Sequence, residues 1–167
     1  MDKPFVAILM GSDSDLPVMQ ACIDVLKQLD VDHEVKVSSA HRTPEATHNY
    51  VRSADERGCL AFICAAGMAA HLAGAVSAQT LRPVIGVPIN ASLEGLDALL
   101  STVQMPAGIP VATVAIGKAG AKNAAYLAAQ IVATADAELR QRLIDERAAA
   151  AQAVMDKDAA LQAQLAG

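Results

Sequence analysis

The strongest constraint on the fold is the regular alternation of short apolar runs with longer segments of helical periodicity. Five mostly apolar runs, each short for a helix, are predicted to be strands: 5–10, 33–38, 60–66, 83–88 and 110–116. The segments between them are predicted to be helices: 16–29, 44–57, 69–79 and 93–100. Strands and helices that alternate in this way favour right-handed crossovers and a parallel sheet covered on both faces.

The last part of the chain is predicted to be helical from Gly120 onward, continuing after Asp136. Its apolar residues form a discontinuous stripe: Leu139, Leu143, Ala150, Val154, Leu161 and Leu165. Such a face needs burial to be stable. Because 167 residues are too few for two ordinary domains, we expect one domain over 1–135. The tail, 136–167, is expected to pack on a neighbouring subunit, with a solvated tail as the alternative.

Composition excludes several classes of function. The formal net charge of −5 and the aromatic content of 2% argue against a general nucleic-acid-binding protein, which needs basic surface and stacking aromatics. Cys22, Cys59 and Cys64 are odd in number and lack metal-ligand spacing, so we expect buried free thiols in a reducing compartment. The amino-terminal segment is unlike a signal peptide and no run approaches membrane-spanning length, which predicts a cytoplasmic protein.

The loops that follow the strands are the places to look for a site, because open parallel sheets bind ligands beyond the carboxyl ends of their strands. These loops contain "GSDSD", "SAHRTPE", "AAGMAAHLAG" and "PINASLEG", and the last strand leads to "GKAGAKN". The segment "VQMPAGIP" instead precedes the fifth strand. Its two prolines and its glycine predict a shaped loop that could fold over a site.

The first loop combines hydroxyls and carboxylates ahead of a helix. Ser12, Asp13, Ser14 and Asp15 can each cap that helix, which is the simplest interpretation of any one of them. The loop matches neither Walker A nor GxGxxG, which weighs against nucleoside triphosphates and dinucleotides. A serine at a helix start can hold phosphate, and an aspartate can accept hydrogen bonds from ribose hydroxyls. The mixture suits one phosphate and one sugar.

The second loop, "SSAHRTPE", ends in a helix start, in which Thr43 is predicted to cap and Pro44 to take the first helical position. Arg42 is either a surface cation or, because its guanidinium forms a planar fork, a bidentate phosphate ligand. His41 is either structural or, beside an anion site, a general acid and base.

The third loop is built mostly from glycine and alanine, which would let a ligand approach the backbone closely. His71 is the exception and stands where the next helix is predicted to begin. It either contributes to the site or only bonds a neighbouring carbonyl, and the sequence leaves both interpretations open.

Six motifs in order, from "GSDSD" to "GAKNAAYLAAQI", closely resemble the PurE family of purine biosynthesis over residues 4–132. The resemblance is to the bacterial branch of the family, the N5-carboxyaminoimidazole ribonucleotide mutases. It implies a three-layer αβα, flavodoxin-like fold with a parallel sheet and a long C-terminal helical extension. It also implies a homo-octamer in which C-terminal helices reach across subunits.

The resemblance further implies an isomerase of de novo purine (IMP) biosynthesis. The family moves a carboxylate from the exocyclic nitrogen of an aminoimidazole ribonucleotide to ring carbon C4, by decarboxylation and recarboxylation, without metal, biotin or ATP. A small ribonucleotide would be the substrate, and His41 matches the catalytic histidine that shuttles the proton. The expected substrate-binding residues are Gly11, Ser12, Asp15, Ser39, Arg42, Ala69, Ala70, His71 and Leu72. Of these, Asp15 is expected on the ribose, and Ser39 and Arg42 on the phosphate.

Departures from the family pattern lie in the third loop. Ala65 and Met68 stand where the family usually has glycine, and Ala73 stands where it usually has proline. Methionine is the largest change, because a side chain makes positive φ costly and could intrude on the ligand. Either Met68 has ordinary backbone and points away, or the carboxylate pocket is altered.

Two alternative functions follow from the same residues. The first is phosphoribosylaminoimidazole carboxylase, a carboxy-lyase in the other branch of the family that uses free carbon dioxide. Arg42 and the retained "AAHL" favour the mutase. The carboxylase branch usually has lysine directly after the catalytic histidine, and its third loop is different. The second, remote alternative is a non-catalytic signalling module such as a phosphorylation receiver. Asp13, Asp15 and Lys118 suit a receiver, but the third strand lacks the required aspartate.

Overall fold

One parallel sheet organises the protein. The computed structural model describes residues 4–166, so the outermost residues of the two predicted units, 1–3 and 167, lie outside it. The strands are β1 (Phe5–Met10), β2 (His33–Val37), β3 (Cys59–Gly67), β4 (Val84–Ile89) and β5 (Ala112–Thr113). All neighbours are parallel and the order is β2-β1-β3-β4-β5. The order reverses between β1 and β3, which is where such sheets bind ligands.

Helices cover both faces of the sheet. They are α1 (Leu16–Gln28), α2 (Pro44–Glu56), α3 (Leu72–Ser77), α4 (Leu96–Val103), α5 (Gly117–Val132) and α6 (Ala137–Ala166). Alternate residues of β1 serve the two layers: Ile8 packs with α1 and α5, and Leu9 with α2 and α3. The predicted three-layer, flavodoxin-like α/β fold with a long C-terminal helix is confirmed.

Small side chains allow the helix layer to approach the sheet closely. The inner face of α5 is an alanine stripe, fully buried against the sheet and α1: Ala121, Ala124, Ala125, Ala128 and Ala129. All three cysteines are free and buried, as expected. Desolvation raises the pKa of the Cys22 thiol to about 12 and that of Cys59 to about 11, so both thiols are unreactive at neutral pH.

The fifth strand and the third helix are much shorter than expected. The fifth strand covers Ala112–Thr113 instead of 110–116, because it is an edge strand and Pro110 has no N–H to donate to the ladder. The third helix covers Leu72–Ser77 instead of 69–79. Before Leu72 the chain makes two tight turns instead of a helix. Ala70 N–H donates to the Met68 carbonyl, and His71 N–H donates to the Ala69 carbonyl.

The long helix α6 changes its surroundings along its length. Its start packs on the core through buried Leu139, and Arg142 Nε donates to the carbonyl of Leu29 at 2.9 Å. Tyr126 of α5 donates a hydrogen bond to Glu146. Every residue from 147 to 166 is exposed. Within residues 4–166, no helix is both long and apolar enough to cross a membrane.

Candidate active site

A cavity of about 370 Å³ opens at the edge of the sheet where strands β1 to β4 end. It is lined by Gly11, Ser12, Ser14, Asp15, Ser39, Ala40, His41, Arg42, Ala66, Gly67, Met68, Ala69, His71, Leu72 and Ala91. Every residue predicted for the site except Ala70 therefore meets there. Ala70 is 1% exposed and faces the core, with Thr102 Oγ1 3.4 Å from its carbonyl oxygen, so its contact with substrate stays a prediction.

The first loop holds its carboxylate rigidly. Ser12 caps a short 3-10 turn over Asp13–Asp15, whereas α1 itself begins without a side-chain cap. Ser12 Oγ accepts from Ser14 N–H at 3.3 Å, while Asp15 Oδ2 accepts from Ser12 N–H at 3.2 Å. Asp15 is only 7% exposed. This burial raises the pKa of Asp15; the Ser12 N–H partly counters the rise and the nearby Asp13 charge adds to it. A fixed carboxylate at the cavity wall can accept hydrogen bonds from vicinal hydroxyls.

The second loop is closed by Ser39 and Thr43. Thr43 Oγ1 accepts from Ser39 N–H at 3.0 Å and donates to the Ser39 carbonyl at 3.1 Å. The predicted capping role of Thr43 is therefore wrong, because its hydroxyl bonds the loop instead of the start of α2, whereas Pro44 does begin the helix as predicted. Ser39 Oγ accepts from Arg42 N–H at 3.1 Å. This bond places the Ser39 hydroxyl beside Arg42.

Two histidines from different loops meet in the cavity. His41 Nε2 and His71 Nδ1 are 2.7 Å apart, and the rings pack edge to face with centroids 4.8 Å apart at 86°. One nitrogen donates and the other accepts, so the tautomer of one ring is matched to that of the other. Of the two interpretations of His71, the structure supports a contribution to the site.

The third loop lines the cavity through Met68, Ala69 and His71. Met68 has φ of +56° and is 59% exposed, so its backbone is not ordinary, and it lines the cavity. Ala65 and Ala73 are buried in the core instead, which limits the departures that reach the cavity to Met68. A Cβ on Gly67 would lie 2.8 Å from Ala91 Cβ, so glycine is needed where these two loops touch.

Some cavity residues were not predicted as ligand contacts: Ser14, Ala40, Ala66, Gly67, Met68 and Ala91. Ala91 follows β4, so the rule that ligands bind at carboxyl ends could have found it. The segment "VQMPAGIP" lines none of the cavity. Met105 packs beside Gly74 of α3, and Ser77 Oγ donates to the Pro110 carbonyl at 2.7 Å.

Other cavities of the described chain lie away from this site, and one of them, of about 580 Å³, is lined by α5, α6 and the turn between them. A larger cleft of about 1040 Å³ lies at the opposite end of the sheet, where the cation Arg82 is already paired with Asp55 at 2.7 Å. Among residues 4–166, no three His, Cys, Asp or Glu side chains are grouped closely enough to hold a metal ion.

A doubly wound parallel sheet with a histidine pair and an arginine at its carboxyl edge defines an α/β protein with a site for a small anionic ligand. The chain belongs to the AIR carboxylase family, whose model matches residues 5–153. The predicted membership of the PurE family is thereby confirmed.

Named relatives resemble the chain over most of its length. It is 55% identical over 152 residues to N5-carboxyaminoimidazole ribonucleotide mutase of Escherichia coli (strain K12), covering 90% of both chains. It is 52% identical over 167 residues to the mutase of the same name from Mycobacterium tuberculosis (strain H37Rv), covering 99% of this chain and 94% of that one. A crystal structure of Treponema denticola PurE superposes with a TM-score of 0.86 at 30% identity, covering 95% and 99% of the two chains.

Proposed function

We propose that the protein is an N5-carboxyaminoimidazole ribonucleotide mutase, which produces 4-carboxy-5-aminoimidazole ribonucleotide in de novo purine biosynthesis. The observation that carries the proposal is the His41–His71 pair, held at 2.7 Å in a cavity whose rim also presents Arg42. This pair offers proton transfer beside an anion site, which the reaction requires. Relatives that bear this name at 52% and 55% identity support the assignment.

The phosphate and ribose are proposed to bind to the first two loops. Within residues 4–166, the Arg42 guanidinium has no protein partner, so its full fork is open to an anion. The Ser39 hydroxyl accepts from Arg42 N–H and can still donate its own proton to a phosphate oxygen. Asp15 keeps lone pairs for the ribose hydroxyls after it has accepted the Ser12 N–H. These groups hold the base near His41.

The chemical steps conserve the proton. His41 gives a proton to the exocyclic nitrogen while the bond from that nitrogen to the carboxylate carbon breaks, which releases carbon dioxide and the neutral aminoimidazole. C4 then attacks the carbon dioxide, forming the new carbon–carbon bond. His41 takes the C4 proton, which restores the aromatic ring. The same group serves as acid and then as base, so no proton is gained or lost overall.

His71 is proposed to prepare His41 for both steps. His71 Nδ1 is hydrogen-bonded to His41 Nε2. The other ring nitrogen of His41, Nδ1, is therefore the one left to face the substrate. When His71 accepts the hydrogen bond, neutral His41 carries its proton on Nε2 and presents a lone pair, as a base should. As the imidazolium, His41 keeps the Nε2 proton in this hydrogen bond and presents a second proton on Nδ1, so it becomes that neutral base once the exocyclic nitrogen has taken the Nδ1 proton.

The direct test is turnover of N5-carboxyaminoimidazole ribonucleotide by the purified protein at low bicarbonate, followed by absorbance and product mass. Aminoimidazole ribonucleotide plus bicarbonate is assayed in parallel, with His41→Asn as the control. Formation of the C4-carboxylated product from the first substrate supports the mutase. Turnover of the second substrate alone would assign the protein to the carboxylase alternative, and inactivity with both would reject the proposal.

The assembly and location are part of the same proposal. The protein is proposed to be a cytoplasmic homo-octamer, with residues 1–135 as the catalytic domain and 136–167 as a tail whose exposed part, from 147 to 166, packs on a neighbouring subunit. Val154, Leu161 and Leu165 are exposed and continue the stripe whose start, at Leu139 and Leu143, packs on the core. An apolar face that extends beyond its own subunit is stabilised when another subunit covers it.

A further inference from the structure

Met68 stands at the open side of the cavity. It lines the cavity, yet 59% of its surface is exposed, which places it at the rim. Its neighbours on the same loop, Gly67 and Ala69, are small, and so is Ala91 beside Gly67. The other large apolar residue of the lining, Leu72, is buried. Met68 is therefore the one large apolar side chain at the open side of this cavity within residues 4–166.

The backbone of Met68 is strained and firmly held. Its φ of +56° is a conformation that glycine adopts freely and that a side chain makes costly. Its carbonyl accepts from Ala70 N–H at 2.9 Å, and it lies 3.2 Å from Ser101 Oγ of α4, whose single proton is shared with the nearer carbonyl of Asp97. The Ala70 hydrogen bond holds the Met68 backbone in this conformation. A strained residue that its surroundings hold in place points to a functional constraint.

We propose that Met68 determines specificity by covering the mouth of the cavity, so that the released carbon dioxide is retained until C4 attacks it. This inference rests on the mutase reaction proposed above. Carbon dioxide is small and uncharged, so closure retains it better than any single hydrogen bond could. An unbranched thioether adapts its shape and can move aside when substrate enters. Without this cover, carbon dioxide from solution would replace the released molecule.

The test measures the origin of the transferred carbon. The protein converts N5-carboxyaminoimidazole ribonucleotide in ¹³C-bicarbonate with carbonic anhydrase present, and mass spectrometry gives the ¹³C fraction of the product carboxylate at early conversion. Met68→Ala removes the cover but keeps Cβ and the strain, Met68→Gly removes both, and Met68→Leu keeps apolar bulk. Asp30→Gly is the matched control, because it relieves another positive φ, of 53°, in the turn at the far end of the sheet.

Retention by Met68 predicts a several-fold higher ¹³C fraction for Met68→Ala and Met68→Gly, and a fraction near that of the parent protein for Met68→Leu and Asp30→Gly. An unchanged fraction in the active Ala and Gly variants would overturn the inference, as would full labelling of the product by the parent protein. Because the readout is a fraction of product formed, it is separate from activity. A parent protein that forms no product would instead remove the mutase proposal, and this inference with it.

Discussion

His41 is the residue on which turnover is expected to depend. His41→Asn should keep ligand binding, because the phosphate and ribose contacts lie on other residues, but should lose turnover by about 10²- to 10⁴-fold, the usual contribution of a positioned acid and base. Calorimetric titration with the product measures binding, and the initial rate measures turnover. Normal turnover by this variant would contradict the assignment.

Arg42 is expected to affect ligand binding more than turnover. Arg42→Ala should weaken ligand binding by about 10- to 100-fold, because a hydrogen-bonded phosphate charge loses its partner, while turnover at saturation changes less. The comparison of Kd, KM and kcat tests this. Arg52→Ala is the control, since Arg52 is an exposed arginine of α2 that pairs with Glu56. Equal effects of the two substitutions would refute a phosphate role for Arg42.

Asp15 couples the site to pH. Its pKa is raised by burial from the ordinary value of 3.8, so the folded state binds this proton more tightly than the unfolded state. The Asp15 contribution to stability therefore falls as pH rises above 3.8 through the raised pKa. Asp15→Asn, which keeps an acceptor for Ser12 N–H, should raise Tm at pH 7 and weaken ribonucleotide binding. A lower Tm together with unchanged binding would contradict both expectations.

At the scale of elements, the edge strand β2 is tied to the rest of the fold by Glu34. Arg57 pairs with Glu34 and donates from Nη2 at 2.9 Å, and Tyr50 of α2 donates its hydroxyl to Glu34 at 2.8 Å. The Arg57 hydrogen bond is the main cause that lowers the pKa of Glu34 below its ordinary value of 4.5, with a further contribution from Tyr50. Because the pair is partly exposed, its contribution to stability is about 1 kcal/mol or less.

The direction of the Glu34 pKa shift determines how its contribution to stability depends on pH. A lowered folded pKa means that Glu34 contributes stability above pH 4.5, which is lost as pH falls through the lowered pKa. Glu34→Gln should therefore reduce Tm at pH 7, and the difference from the parent protein should shrink in acid. Thermal unfolding at several pH values measures it. Glu56→Gln, in an exposed pair on α2, should have almost no effect.

Elements with strong local signals were the best predicted. Strand β1 occupies 5–10 as predicted, because its buried run is flanked by clear turn residues. The helix predicted over 93–100 is α4, which covers Leu96–Val103. Leu93, Glu94 and Gly95 all have positive φ, so α4 can begin only after them. The apolar periodicity of a sequence does not show the sign of φ.

At the scale of the whole molecule, the exposed half of α6 is expected to hold the assembly together. Leu161→Arg should reduce the oligomer size measured by sedimentation, because a charge would enter the apolar face shared with Val154 and Leu165. Gln152→Arg is the matched control, since Gln152 lies on the opposite side of the helix and bonds Asp156. A parent protein that sediments as a monomer would contradict the proposed octamer.

Within the molecule, the sequence by itself determined the parallel sheet, its helical layers and the candidate residues His41, Arg42 and Asp15. These depend on local periodicity and on the rule that ligands bind where strands end. The tertiary structure alone decided that His41 bonds His71, that Ala70 faces the core and that Met68 stands at the rim. The physical reason is that each of these depends on distances between segments distant in sequence, or on backbone angles that packing imposes, and residue order contains neither.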